Sequence, residues 1–277
     1  MNITTWANKL KNAVLYASLM ILTSVFSDVN AQSISGAKGV ALAQSVTALQ
    51  DNTWSVFQNP AMMPRKGTRI SFYAIRYYGL SELTDSALAG IYNASFGTLS
   101  VGLHSYGYEL YKESQLRFAI TKSFKNFRIG STIRYHNISI KNYGSAGTIA
   151  FDTGFAMMLA EGLWLGVYAG NISRSTLGEA HEELPVEFAI GLSYTLSDRV
   201  LVVSDLFKDV RFPFSYRAGT EVTILDDILQ LRTGISTEPI TYSIGIGLER
   251  AYWSVDIAAQ HHEWLGWSPG IGLNSAW

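Results

Sequence analysis

Between Gly266 and Trp277 the chain reads GWSPGIGLNSAW. Trp267, Ile271, Leu273 and Trp277 fall on one face at period two, and Ser268, Gly270, Gly272 and Asn274 fall on the other. Successive side chains of a strand point to opposite faces, so this stretch has one apolar face and one small or polar face. A strand of this kind ending on an aromatic has the form of the closing strand of a transmembrane β-barrel, whose aromatics sit at the membrane interface.

The N-terminal residues point the same way. Lys9 and Lys11 precede an uncharged, mostly apolar run from Ala13 to Phe26, and Val29 and Ala31 occupy the −3 and −1 positions of a cleavage site. Residues 1–31 therefore read as a secretory signal peptide, too short to span as a helix, with a mature chain expected from Gln32. No later apolar stretch is long enough for a membrane helix. Cysteine is absent, which leaves no lipid-anchored N-terminus and no disulfide framework. With 15 Tyr, 13 Phe, 7 Trp and 24 Gly but only 16% charged residues, the composition suits an outer-membrane barrel better than a secreted soluble β-protein. A net charge of −1 gives no electrostatic case for nucleic-acid binding.

Beyond Gly67 the alternation resolves into about fourteen segments of transmembrane length. They run over 68–77, 86–96, 99–108, 115–124, 127–137, 147–159, 163–172, 185–196, 199–207, 213–224, 228–237, 240–249, 252–262 and 267–277. Every second connection is tight: Gly97-Thr98, Lys125-Asn126, Glu161-Gly162, Ser197-Asp198, Asp226-Asp227 and Arg250-Ala251. Most of the others are longer and more polar (GLSELTDS, ELYKE, the stretch around KNYGSA, SRSTLGEAHEE, EWLG), with Glu238-Pro239 as a tight exception. Short periplasmic turns alternating with external loops predict an even strand number and two periplasmic termini.

The pleat assigns the faces. In 240–249, Tyr242, Ile244, Ile246 and Leu248 face lipid against Thr241, Ser243, Gly245, Gly247 and Glu249; segments 127–137 and 185–196 divide in the same way. Segments 68–77 and 199–207 alternate less clearly. A charge facing lipid near the midplane costs about 2–4 kcal/mol, so the charges should point inward. The lumen is thus expected to hold Arg117, Arg128, Arg134, Arg217 and Arg232 against Asp152, Glu187, Glu221, Glu249 and Asp256. Such a balance fits ion pairs across the lumen or with a plug, or equally a solvated polar lining with no special pairing, rather than the one-sign ring of an ion-selective pore.

Residues 32–67 are not strand-like. The run GAKGVALAQSVTALQDN is small and weakly amphipathic, TWSVFQNPA follows, and Asn59-Pro60 initiates a turn. The segment is expected to fold into the lumen as a hatch carrying Asp51, Trp54, Asn59, Pro60 and Ala61. The pattern GAKGVALAQSVTALQDNTWSVFQNPA resembles the N-terminal hatch of the FadL-like superfamily of outer-membrane proteins, including the PorV/PorQ-type proteins of Bacteroidetes. The matching residues are Gly36, Ala37, Ala48, Leu49, Asp51, Asn59, Pro60 and Ala61, while Met62 stands where the family has glycine and Gln50 where a small or acidic residue is usual. The resemblance implies a fourteen-stranded barrel with a hatch.

The expected fold is therefore all-β: a transmembrane antiparallel barrel of about fourteen strands over 68–277 with a small N-terminal hatch over 32–67. Two functions fit. One is passive transport of a small hydrophobic compound, motivated by the hatch resemblance and by the aromatics Tyr106 and Tyr108. The other, implied by the PorV/PorQ resemblance, is a non-transport accessory barrel of type IX secretion, with a lipid-facing side or the rim near 173–183 as a docking surface. The expected partners are outer-membrane lipid, the barrel-assembly machinery through the strand carrying Ile271, Leu273 and Trp277, and either a small hydrophobic ligand or a secretion-system protein. No catalytic group, metal site or cofactor is expected. His261 and His262 lie near Ser254 and Asp256, but adjacent strand residues point to opposite faces and cannot serve one site.

Overall fold

The computed structural model describes residues 34–178 and 181–277. The expected signal peptide lies outside the described residues. Fourteen antiparallel strands close into one barrel, each hydrogen-bonded to its sequence neighbour and the first to the last. They are β1 (Arg69–Arg76), β2 (Thr84–Ala94), β3 (Gly97–Gly107), β4 (Tyr111–Ser123), β5 (Phe127–Ile140), β6 (Gly144–Ala160) and β7 (Leu163–Gly170). The second half comprises β8 (Glu187–Ser197), β9 (Val200–Asp209), β10 (Ser215–Ile224), β11 (Leu229–Thr237), β12 (Ile240–Glu249), β13 (Trp253–His262) and β14 (Gly266–Ala276). A minor hairpin, Thr176–Leu177 with Glu182–Glu183, stands in the connection between β7 and β8.

Closure depends on the C-terminal strand. β14 pairs with β1 from Arg69↔Ala276 to Ile75↔Gly270, and Thr68 and Trp277 exchange both backbone hydrogen bonds, at 2.8 and 3.0 Å. Ile271, Leu273 and Trp277 face outward while Ser268, Gly270 and Gly272 are buried, as the period-two reading requires. Outward Ile, Leu, Val and Phe cover the middle of the wall, for example Ile133, Ile190 and Ile244. Exposed aromatics flank this band at both ends, Tyr92, Phe96, Trp253 and Trp277 at one and Tyr143, Trp264 and Trp267 at the other. This surface is that of a membrane-spanning barrel.

The wall departs from the sequence reading in its connections. The first tight turn is Ser95-Phe96 rather than Gly97-Thr98, because Gly97 and Thr98 already pair with Ala94 and Asn93. The turn expected at Ser197-Asp198 lies one residue later, at 198–199, where Ser197 pairs with Val200 after a register shift. The expected loops ELYKE and KNYGSA shrink to 108–110 and 141–143, since Tyr111–Glu113 and Gly144–Ala146 extend their ladders. Only 77–83 and 171–186 are long connections. We call the end carrying them the loop end, and the end carrying Thr68 and Trp277 the turn end.

Residues 34–64 lie inside the barrel, and Arg65, Lys66 and Gly67 are exposed where the chain leaves it at the turn end. Residues 34–64 form one helix, α1 (Gly36–Ala41), and two single-turn 3₁₀ segments, Thr53–Phe57 and Pro60–Met62. The Asn52 and Asn59 side chains cap the 3₁₀ turns by accepting from Trp54 N and Ala61 N, each at 3.1 Å, and Pro60 occupies a first-turn position where its missing N–H costs nothing. Glycines on the inner wall make room for this chain. A Cβ at Gly130 would lie 2.5 Å from the Pro60 carbonyl carbon, one at Gly234 2.6 Å from Ala43 N, and one at Gly102 2.7 Å from the Phe57 ring. Gly154 and Gly166 approach Asn59 and the Thr47 carbonyl in the same way. Gly130→Val should therefore lower stability by about 1–3 kcal/mol through overpacking. The melting temperature should fall and trypsin should gain access to Lys38 in the hatch. Gly90→Val, whose Cβ meets only Val101 at 3.4 Å, should change neither.

Candidate functional site: a hatch-filled lumen

The inner wall has two characters. Around β1–β4 an apolar cluster gathers: Tyr73, Ile75, Tyr77, Ala87, Ala89 and Ala119 pack with the hatch residues Trp54, Val56 and Phe57. Tyr78, Leu83 and Tyr106 extend the cluster to the loop end. Trp54 meets Tyr73 edge-on at 5.6 Å and lies 6.2 Å from Phe57. Both faces of β1 are therefore hydrophobic, outward Ile70 and Phe72 against inward Tyr73 and Ile75, which is why this segment alternates poorly. Tyr106 belongs to the cluster, whereas Tyr108 lies beyond β3 on the exposed loop-end rim and does not line the lumen.

From β2 to β6 a polar track adjoins the apolar cluster. His104 Nε2 lies 2.8 Å from Asp85, and His136 Nε2 lies 3.4 Å from Glu113, which also accepts from the Tyr111 hydroxyl at 2.6 Å. Arg117 donates to Gln115 at 2.8 Å, to Asp152 at 3.4 Å and to the hatch carbonyl of Phe57 at 2.9 Å, with its guanidinium 5.1 Å from the centre of the Phe57 ring. Arg134 shares Asp152 at 3.6 Å, and Glu187 is buried on β8.

The ten lumen charges do point inward, with Glu249 at the open mouth, but they do not bridge the lumen. The hatch occupies that space, and strands about 4.8 Å apart bring charges together along the wall instead. Arg117 and Arg134 share Asp152; Arg232 sits between Glu221 and Asp256 at 2.5 Å each. Arg128 and Arg217 form no ion pair among the described residues. Arg128 lies over the Trp164 ring at 4.5 Å and Arg217 over Phe207 at 4.0 Å. Glu249 accepts from Gln230 at 3.1 Å.

Besides the Arg117 bond to Phe57 O, further side chains latch the hatch. Asn59 donates to Thr47 O at 2.7 Å and to Phe155 O on β6 at 3.2 Å. Thr121 on β4 donates its hydroxyl to Pro60 O. Lys38 on α1 pairs with Glu221 at 2.8 Å. Asp205 on β9 accepts from Val46 N and Thr47 N at 2.9 Å and from Thr47 Oγ1 at 2.7 Å. Of the expected hatch residues, Trp54, Asn59, Pro60 and Ala61 are buried, while Asp51 is exposed and meets Arg69 only through its carbonyl oxygen, at 2.9 Å. Lys38 and Asp205 are absent from the sequence reading. Asp205 could have been found as an acid in line with Val203 and Phe207, but outward Ser204 blurs the alternation of β9.

At the turn end a cavity of about 320 Å³ opens between residues 49–54 of the hatch and the bases of β1 and β11–β14. His261 and His262 lie at the opposite end. His261 packs on Trp267 at 4.8 Å, and His262 accepts from Trp264 N at 3.2 Å, well apart from Asp256 and Arg232.

Comparison by sequence finds no family model and no curated protein that matches this chain. Comparison of structures does find relatives in shape. The CymD monoaromatic hydrocarbon channel aligns with a TM-score of 0.67 at 10% identity, over 88% of this chain and 97% of that one. The Pseudomonas putida toluene transporter TodX aligns at 0.65 and 11% identity, over 88% and 99%. A Pseudomonas aeruginosa FadL homologue aligns at 0.58 and 10% identity, over 88% and 98%. What is shared is the fold.

Because Asp205 holds three donors of one hatch corner, Asp205→Ala should free that corner with the barrel intact. A hydrogen bond to a charged group contributes about 1.5–3 kcal/mol, so the Val46 and Thr47 amides should exchange at least about tenfold faster. Ladder amides in β9 and β10 should exchange at the wild-type rate.

Proposed function

We propose that the protein is an outer-membrane channel for passive transport of a small hydrophobic compound, with both termini in the periplasm. One observation carries the reading. A buried cluster of apolar and aromatic side chains extends from Tyr78, Leu83 and Tyr106 at the loop end to Trp54 and Phe57 of the hatch. An apolar solute that entered among these side chains would be desolvated at about 25 cal/mol per Å² of buried surface. The likeness in fold to CymD and TodX supports the same solute class. The hatch is part of this cluster, so passage requires its movement.

The absence of cysteine supplies a test. A Cβ built at Gly272 lies 3.1 Å from Ala37 Cβ, close to the spacing of about 3.5–4.5 Å between bridged cysteines. Ala37→Cys with Gly272→Cys should lock α1 to β14. In cells with an otherwise intact outer membrane, toluene uptake should fall about tenfold when the pair is oxidised and return on reduction. Uptake equal to that of cells lacking the protein, in both states, would refute transport.

The second reading is an accessory barrel of a PorV/PorQ-like type IX secretion system, favoured by the short loop-end connections and filled lumen. Its docking surface would be 171–186, the longest connection. Gentle extraction from the native membrane should then yield a co-purifying protein mass that is lost when 173–183 is shortened; an apolar small molecule without a protein partner points to transport.

A further inference from the structure

The outer face of β1–β4 changes character toward the loop end. One row of outward side chains is apolar: Leu88 on β2, Leu103 on β3 and Leu116 on β4 stand opposite one another. The next row is Ser86, Ser105 and Ser114, continued on β5 by Asn137. The row beyond sets Arg76 of β1 opposite Thr84, and Lys112 of β4 opposite Gly107 on one side and Ser139 on the other. Leucine thus gives way to hydroxyls and then to two cations over four residues of strand, about 14 Å. Arg76 and Lys112 are exposed and point outward, Arg76 alternating with buried Ile75 and Tyr77, and Lys112 with lumen-facing Tyr111 and Glu113.

Other cations at this end are committed within the chain. Lys141 pairs with Glu109 at 3.5 Å, Arg211 with Asp209 at 2.8 Å, and Lys208 donates to Phe212 O. Among the described residues Arg76 and Lys112 form no ion pair. The acids that follow them in the ladder turn inward, Asp85 to His104 and Glu113 to His136 and Tyr111, and Glu82 is exposed on the 77–83 connection and pairs with neither. Three strand spacings separate the two cations, again about 14 Å. Between them the short Thr84 and the bare Gly107 leave a low shelf bordered by the serine row.

An isolated pair of cations would attract any anion. The leucine row on the same strands selects among them, because Leu88 and Leu103 are 42% and 46% exposed and give a bound molecule an apolar surface continuous with the charged one. A water-soluble anion gains nothing from that surface, whereas an amphiphile uses both. The anionic charge of bilayer lipids is carried chiefly by phosphate, which arginine binds as a planar fork. An outward cation is costly at the bilayer midplane but not at the interface, where such a headgroup sits.

We propose that the outer face of β1–β4 at the loop end seats the headgroup of an anionic, phosphate-bearing lipid. Arg76 and Lys112 take its charge, the serine row borders it, and its acyl chains lie along Leu88, Leu103 and Leu116. The site needs only a barrel in a membrane and is independent of transport. On the orientation proposed above it belongs to the outer leaflet.

The test is native mass spectrometry of the full folded chain in detergent, titrated with doubly phosphorylated lipid A and separately with lipid A freed of its phosphates. The first adduct with the phosphorylated lipid should form at a concentration at least about tenfold lower. A basic residue beside an anionic lipid contributes about fivefold in affinity. Arg76→Gln and Lys112→Gln should therefore each weaken that adduct about fivefold, and the double variant at least about tenfold, with the phosphate-free lipid unaffected. Both side chains are exposed and unpaired, so the barrel should melt at the wild-type temperature. Arg174→Gln, an exposed cation of the 171–186 connection away from this wall, should bind as the wild type does. Equal affinity of the wild type for the two lipids, undiminished binding by the double variant, or an equal loss in Arg174→Gln would overturn the proposal. So would displacement of the lipid by equimolar inorganic phosphate, which would mark the cations as a site for a free anion.

Discussion

The rest of this structure depends on the exchange of backbone hydrogen bonds between Thr68 and Trp277 and on the β1–β14 ladder beside it. In lipid an unpaired backbone group costs several kcal/mol, so a sheet can cross only when no edge remains. Once β14 meets β1, the outward face must be apolar, and the inward face is sealed from lipid whatever it carries. Every other feature of the wall answers to that division.

Closure also creates an interior that must be filled. Residues 34–64 do this, and the wall is cut to receive them. Inward glycines at 102, 130, 154, 166 and 234 stand where a Cβ would strike the hatch. Asp205, Glu221 and Arg117 hold it by groups that need buried partners. Glycine removes bulk while each ionic latch adds direction, and together they place Trp54 and Phe57 against β1–β4. The same packing leaves a polar gap at the turn end, where the chain bends through Asp51 at positive φ before β1 begins.

The strand count and the facing of β5, β8, β12 and β14 were legible because period-two patterning is a local signal and lipid enforces it. Legibility failed where the partner of a face was not lipid and water. In β1 the inner face is apolar because it meets Trp54, so both faces look alike in sequence. In β9 the outward Ser204 and inward Val203 reverse the usual pattern, Val203 packing on Leu42, Val46 and Leu49. The loop-end connections read as loops because Lys112, Glu113 and Ser145 are polar, yet beyond the apolar band a ladder continues without a hydrophobic face.

By itself the sequence determined the barrel, its closing strand, the inward direction of the charges and the presence of a non-strand segment before β1. These follow from chain-local alternation and from the cost of placing polar groups in lipid. Only the tertiary structure decided which charges meet. Pairing depends on the registers that put Asp152 beside Arg117 and Arg134, and Arg232 between Glu221 and Asp256, far apart in the chain. It also decided the course of the hatch, and with it which lumen surface stays apolar.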